Sequence, residues 1–137
     1  DISYSKGLLG HSDADVLLHA ITDALLGAAG LGDIGELFPD TDDRYKNADS
    51  AKLLTEAFLK IRNKKFSIAH IDTVILCQEP KLTPYKKQIQ SMIASILGIS
   101  PDSVSVKAKT NEGLGDVGAG AAIVAYAVVL LVRDTIQ

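Results

Sequence analysis

Two histidines and three carboxylates crowd a short stretch of the chain, His11, Asp13, Asp15, His19 and Asp23, in and just beyond the run GHSDADVLLH. Asp15, His19 and Asp23 recur at i, i+4 and i+8, which sets them along one side of a helix with the imidazole between two carboxylates. A divalent cation takes imidazole nitrogen and carboxylate oxygen, and a neighbouring carboxylate fixes the histidine tautomer. The same spacing also fits a surface histidine in an ordinary ion pair, with first-turn acids complementing the helix dipole. One helix cannot supply the three or four ligands of a zinc site, so further ligands have to come from elsewhere. His70, the remaining histidine, opens a predicted strand and has no such cluster around it.

Three other segments carry chemical groups. Asp33-Ile34-Gly35, followed by Phe38-Pro39-Asp40-Thr41-Asp42, combines permissive backbone with carboxylates. It suits a polyol or a hard cation, and it also fits a solvated acidic loop with an Asx turn. Lys107, Lys109, Thr110, Asn111 and Glu112 run from a strand end into Gly113 and Gly115, a plausible phosphate cradle that is not a Walker loop. Cys77 to Lys81 also follows a strand, and Pro80 and Lys81 are placed to line a base or phosphate site. Nothing around Cys77 marks it as a nucleophile.

Amphipathic segments must position these groups. Asp13 to Ala29 has apolar residues at Val16, Leu17, Ala20, Ile21, Ala24, Leu25 and Ala28, predicting a helix capped by Ser12 or Asp13 and stopped at Gly30. Leu31 to Lys46 lacks periodicity and is expected to be a loop, of a length that often signals function. A helix is expected over Ser50 to Lys60, a strand over Ile68 to Leu76 and a helix over Tyr85 to Leu97. Strands follow over Ser103 to Lys109 and Ile123 to Val132, separated by a Gly-rich loop from Gly113 to Gly120. This order predicts an α+β fold: a mixed four-stranded sheet, its fourth strand upstream of Asp1, with helices packed on one face.

The chain has 137 residues, 47% of them hydrophobic and 23% charged, the balance of a single domain over residues 1–137 with a sizeable core. A net charge of −3 with dispersed Lys and Arg leaves no footprint for nucleic acid. The single cysteine cannot form a disulfide within the chain and fits a reducing compartment. No apolar run reaches the roughly 18 residues of a membrane span, so no membrane partner is expected. The chain opens on Asp1-Ile2-Ser3-Tyr4, without Met or a signal pattern, and is expected to continue upstream.

Taken together, GHSDADVLLH, its TDALLGA continuation, GDIGELFPDTD, the QEPKL loop and KAKTNEGLG resemble, in this order, the 2-C-methyl-D-erythritol 2,4-cyclodiphosphate synthase family. The resemblance covers nearly the whole chain. It implies a CMP-forming phosphorus–oxygen lyase of non-mevalonate isoprenoid synthesis, acting on a cytidine diphosphate substrate. His19 matches the family's helix-borne ligand of Zn²⁺ or a similar divalent ion, whose two other ligands lie in an upstream Asp-x-His segment. Glu112 matches the ligand of Mg²⁺ or Mn²⁺. His11 and Thr110 match the catalytic pair at the transition state, with Ser12 beside His11 at the substrate phosphate. Asp13, Asp15 and Asp23 then become capping and supporting carboxylates.

Asp33, Ile34 and Gly35, with Phe38, Pro39, Asp40, Thr41 and Asp42, match the methylerythritol-binding segments. Cys77, Gln78, Glu79, Pro80, Lys81, Leu82 and Thr83 match the cytosine-binding wall, and Lys109 and Asn111 join Glu112 as substrate-binding residues. The resemblance also implies a homotrimer with active sites between subunits, in bacterial cytoplasm or a plastid- or apicoplast-type organelle. Asp116 and Ala119 stand where the family has an aromatic residue and an arginine, and Lys109 is expected to replace in part the phosphate-directed cation lost with that arginine. Two other functions share these residues: a trimer that captures nucleotides or isoprenoid diphosphates without turnover, and a metal-dependent phosphoesterase.

Overall fold

Apolar residues at helical spacing make helix α1 (Asp13–Ala28) the backbone of the core, with Leu17, Leu18, Ile21, Leu25 and Leu26 all buried. The computed structural model describes residues 13–39, 49–78, 82–110, 112–119 and 123–135. Thr22, buried on the same helix, satisfies its hydroxyl by donating to the Leu18 carbonyl at 2.7 Å. The helix stops at Gly30, whose φ of 72° is left-handed and open to glycine at no steric cost.

The expected loop after α1 contains one turn of helix, α2 (Ile34–Leu37), capped by Asp33, whose Oδ1 accepts from the Glu36 N–H at 2.9 Å. Four residues are too few to display a helical period, which is why the sequence reads as a loop there. Helix α3 (Ser50–Asn63) is capped by Asp49 and buries Leu53, Leu54, Ala57 and Ile61. Leu26, Phe38, Leu53 and Ala57 form a small second core that pins residues 31–38 against α1 and α3.

Strand β1 (Phe66–Leu76) is central in a three-stranded sheet of order β2-β1-β3 among the described residues. It runs parallel to β2 (Val104–Lys109) and antiparallel to β3 (Val124–Arg133). Helix α4 (Lys86–Leu97), preceded by a 3₁₀ turn at Thr83–Tyr85, makes the crossover between the parallel strands. A second 3₁₀ turn (Pro101–Ser103) leads into β2, and α5 (Gly115–Gly118) occupies part of the expected Gly-rich loop.

The main core joins α1, α3 and α4 to the inward face of the sheet through Ile71, Ile75 and Val104. On β3, Ala125, Ala127, Val129 and Leu131 pack against that core, while the alternate residues point away. Those are Tyr126, Val128, Leu130 and Val132, exposed by 62%, 70%, 62% and 52%. The fold is thus α+β with a mixed sheet and helices on one face, as its element order predicts. No helix of the described residues is long and apolar enough to cross a membrane.

Candidate active site

His19 lies on the exposed side of α1, and its Nε2 is 3.0 Å from the hydroxyl of Ser50, the first residue of α3. Asp15 and Asp23 are exposed on the same helix, yet among the described residues neither forms an ion pair with His19. Asp23 instead accepts from the Ile34 N–H at 2.9 Å, tying α1 to the start of α2. Helical spacing brings Asp23 near His19, but a backbone donor from a later segment claims the carboxylate. Among the described residues no three His, Cys, Asp or Glu side chains converge as a complete metal site requires. The donor chemistry at His19 still fits a single ligand: Nε2 is engaged by Ser50, so Nδ1 is the ring atom left for a cation.

Asp33 and Phe38 have local duties. Asp33 is the α2 cap, and Phe38, only 3% exposed, anchors the segment in the second core. Ile34 also packs there, while Gly35 is exposed and Pro39 half-buried. The 33–39 segment is therefore anchored at the end of α1, with Asp33, Gly35 and Glu36 as its exposed residues.

A second group of residues gathers at the carboxyl ends of the parallel strands, where open α/β sheets bind ligands. The Cys77 N–H donates to the Lys109 carbonyl at 3.0 Å, carrying the β1–β2 ladder one step past both strands. Beyond it opens a pocket lined by Cys77, Leu82, Thr83, Ala108, Lys109 and Thr110. Its walls mix apolar surface with hydroxyl and ammonium groups. Cys77 and Leu82 are buried, whereas Thr83 and Lys109 are exposed.

The turn after Thr110 is held from three sides. Thr110 Oγ1 accepts from the Glu112 N–H at 3.4 Å, and Gln78 Oε1 accepts from the Gly113 N–H at 3.2 Å. Glu112 itself adopts a left-handed φ of 55°, uncommon for a residue with a side chain, and its carboxylate is exposed. Gly118 of α5 backs onto Gly113 so tightly that a Cβ there would lie 2.1 Å from the Gly113 carbonyl carbon. Gln78 thus contributes to the pocket by clamping its neighbouring loop. Lys107 faces elsewhere: its Nζ is 3.0 Å from Asp72 on the outward face of the sheet. His70 is on that face too, with Nε2 2.9 Å from the Ser105 hydroxyl.

The predicted residues accordingly fall into two groups, His19 with the 33–39 segment, and the Cys77–Thr110 pocket with Glu112 on the following turn. His11, Ser12, Asp40, Thr41, Asp42, Glu79, Pro80, Lys81 and Asn111 lie outside the described residues. Ser50 and Gly118 were not legible as site residues. A serine at a helix start reads as capping, and a glycine in a Gly-rich run reads as a loop.

A model described as the YgbB family matches residues 1–132 of the chain. The chain is 59% identical over 131 residues to a bifunctional enzyme IspD/IspF of Albidiferax ferrireducens, covering 96% of this chain but 31% of that protein. It is 52% identical over 132 residues to a 2-C-methyl-D-erythritol 2,4-cyclodiphosphate synthase of Clostridium acetobutylicum, covering 96% of this chain and 85% of that one. Among solved structures, the complex of Plasmodium falciparum IspF with CDP has a TM-score of 0.79 at 38% identity, covering 91% of this chain and 75% of that one.

Proposed function

The chain belongs to the YgbB family, and we propose that it converts 4-diphosphocytidyl-2-C-methyl-D-erythritol 2-phosphate to 2-C-methyl-D-erythritol 2,4-cyclodiphosphate and CMP. The observation that carries this reading is the pocket at the ends of β1 and β2, bounded by the two loops the synthase resemblance assigns to the cytidine diphosphate. In the reaction an oxygen of the 2-phosphate bonds to the β-phosphorus. The bond from that phosphorus to the bridging oxygen breaks, and CMP departs with the electron pair. No water or covalent enzyme intermediate enters the balance.

The protein's task is to fold the substrate on itself and offset its charge. Orientation of two reacting groups is worth up to about 7–11 kcal/mol of barrier, provided both ends are held. The Cys77–Thr83 wall holds the base, Lys109 places its ammonium beside the phosphates, and the Thr110–Gly113 turn presents a hydroxyl and the Glu112 carboxylate. The Asp33–Pro39 segment receives the methylerythritol end, with His11 and Ser12 at its phosphate. Divalent cations, Zn²⁺ at His19 with upstream ligands and Mg²⁺ or Mn²⁺ at Glu112, supply charge neutralisation when bound.

The assembly belongs to the same proposal. A fourth strand from upstream of Asp1 completes the sheet and the zinc ligands of one domain, and three copies associate through the outward face of the sheet. The apolar stripe of β3 supports this, as does the separation of the two residue groups, which a neighbouring copy would bring together. Cytoplasm or an organelle matrix is the compartment proposed.

Full-length protein supplied with Zn²⁺ and Mg²⁺ should release CMP and cyclodiphosphate in equal amounts, and His19→Ala should abolish turnover. Retained turnover in that variant would sink the metal assignment. Inorganic phosphate as product would establish a phosphoesterase instead, and tight CDP binding without CMP release would establish a capture protein.

A further inference from the structure

We propose that Ser50 is a positioning residue for His19, presenting Nδ1 of the ring to the metal by accepting a hydrogen bond from Nε2–H. The inference rests on the reading of His19 as a ligand and adds the residue that orients it.

Ser50 has no other evident reason to be where it is. It is the first residue of α3 and only 4% exposed, a position where an unused hydroxyl costs stability. Capping does not explain it, because Asp49 already caps α3 by accepting from the Ala51 N–H at 3.0 Å. Its hydroxyl goes to His19 Nε2, at 3.0 Å, across the packed interface of α1 and α3. Leu54, Ala57 and Leu53 are buried just beyond it, so the hydroxyl is fixed to the core while the imidazole it holds is exposed.

With the hydroxyl at Nε2, the ring nitrogen left open to a cation is Nδ1. A neutral imidazole carries one proton, and a ring that donates from Nε2 has its lone pair on Nδ1. Metal-bound histidines ordinarily donate their second nitrogen to an oxygen in this way, which fixes the ring orientation. The carboxylates one turn away on α1 do not take this part: Asp23 is held by Ile34, and Asp15 has no hydrogen bond to the ring among the described residues. The oxygen behind His19 is thus a neutral hydroxyl from another helix.

Nitrogen-15 NMR of the full-length, metal-free protein should find the His19 ring in the Nε2–H tautomer. Titration calorimetry with Zn²⁺ should give an affinity about 10–100-fold weaker in Ser50→Ala and near the original in Ser50→Thr, which keeps the hydroxyl. The Ser50→Ala ring should lose its single tautomer. A wild-type ring protonated on Nδ1 overturns the proposal. So does unchanged Zn²⁺ affinity in Ser50→Ala when His19→Ala has lost it, an outcome that leaves the metal reading standing. Undiminished binding in His19→Ala overturns the metal reading itself, and this inference with it. Should Ser50→Ala fail to fold, the wild-type tautomer and the Ser50→Thr affinity decide.

Discussion

Gly118 and Gly27 form a natural control at the scale of single residues. A Cβ on Gly27, in α1, meets nothing within 4 Å, whereas one on Gly118 meets the Gly113 backbone at 2.1–2.7 Å. Gly27→Ala is therefore expected to leave function intact and raise stability by roughly 0.8–1 kcal/mol, the helical preference of alanine over glycine. Gly118→Ala forces the 112–113 turn outward and should cost about 1–3 kcal/mol by overpacking. It should also weaken CDP binding. Thermal unfolding and CDP calorimetry on both variants check this, and equal CDP affinities would separate the turn from the pocket. His19 stands out as a candidate in the sequence because its motif concentrates ligand-type residues at a helix start. The partners of Asp23 and Gln78 do not, because each bonds to backbone brought near only by folding.

Among the elements, those long enough to show a period were read correctly in kind, and their ends fall where the punctuating residues stand. Gly98, with a φ of 67°, ends α4 as predicted. The four-residue helices α2 and α5 escaped notice for want of a period. Strand β1 begins at Phe66, two residues before the expected Ile68, and it carries a bulge. Ile68 pairs with Leu131 and His70 with Leu130, leaving Ala69 without a partner across the ladder to β3. Inward positions are even before the bulge, Phe66 and Ile68, and odd after it, Ile71, Thr73 and Ile75, so strict alternation fails across Ala69. Removing Ala69 restores alternation without turning any core residue outward. Its deletion should be milder than deletion of Val74, which would flip one flank of the strand to the wrong face. Urea unfolding of the two variants measures the difference, and equal losses would refute it.

For the whole molecule, the order of helices and strands was sufficient to predict an α+β sheet covered on one side. What covers the other side is not written in one chain's alternation. Hydrophobic residues at both inward and outward positions of β3 read simply as a strongly apolar strand, and only the folded sheet shows which half is left facing out. Four neighbouring apolar side chains so exposed form a patch of the kind that marks association. If three copies bury it, folding and assembly become one equilibrium. Melting temperature should then rise with protein concentration, visible by calorimetry across about a hundredfold dilution. Leu130→Asp, which places a charge in the stripe, should make melting independent of concentration. A flat wild-type profile would count against association through β3. Under the proposed assembly the stripe would tie the persistence of each folded molecule to its own abundance, and a cell making too little of the protein would have it unfold first.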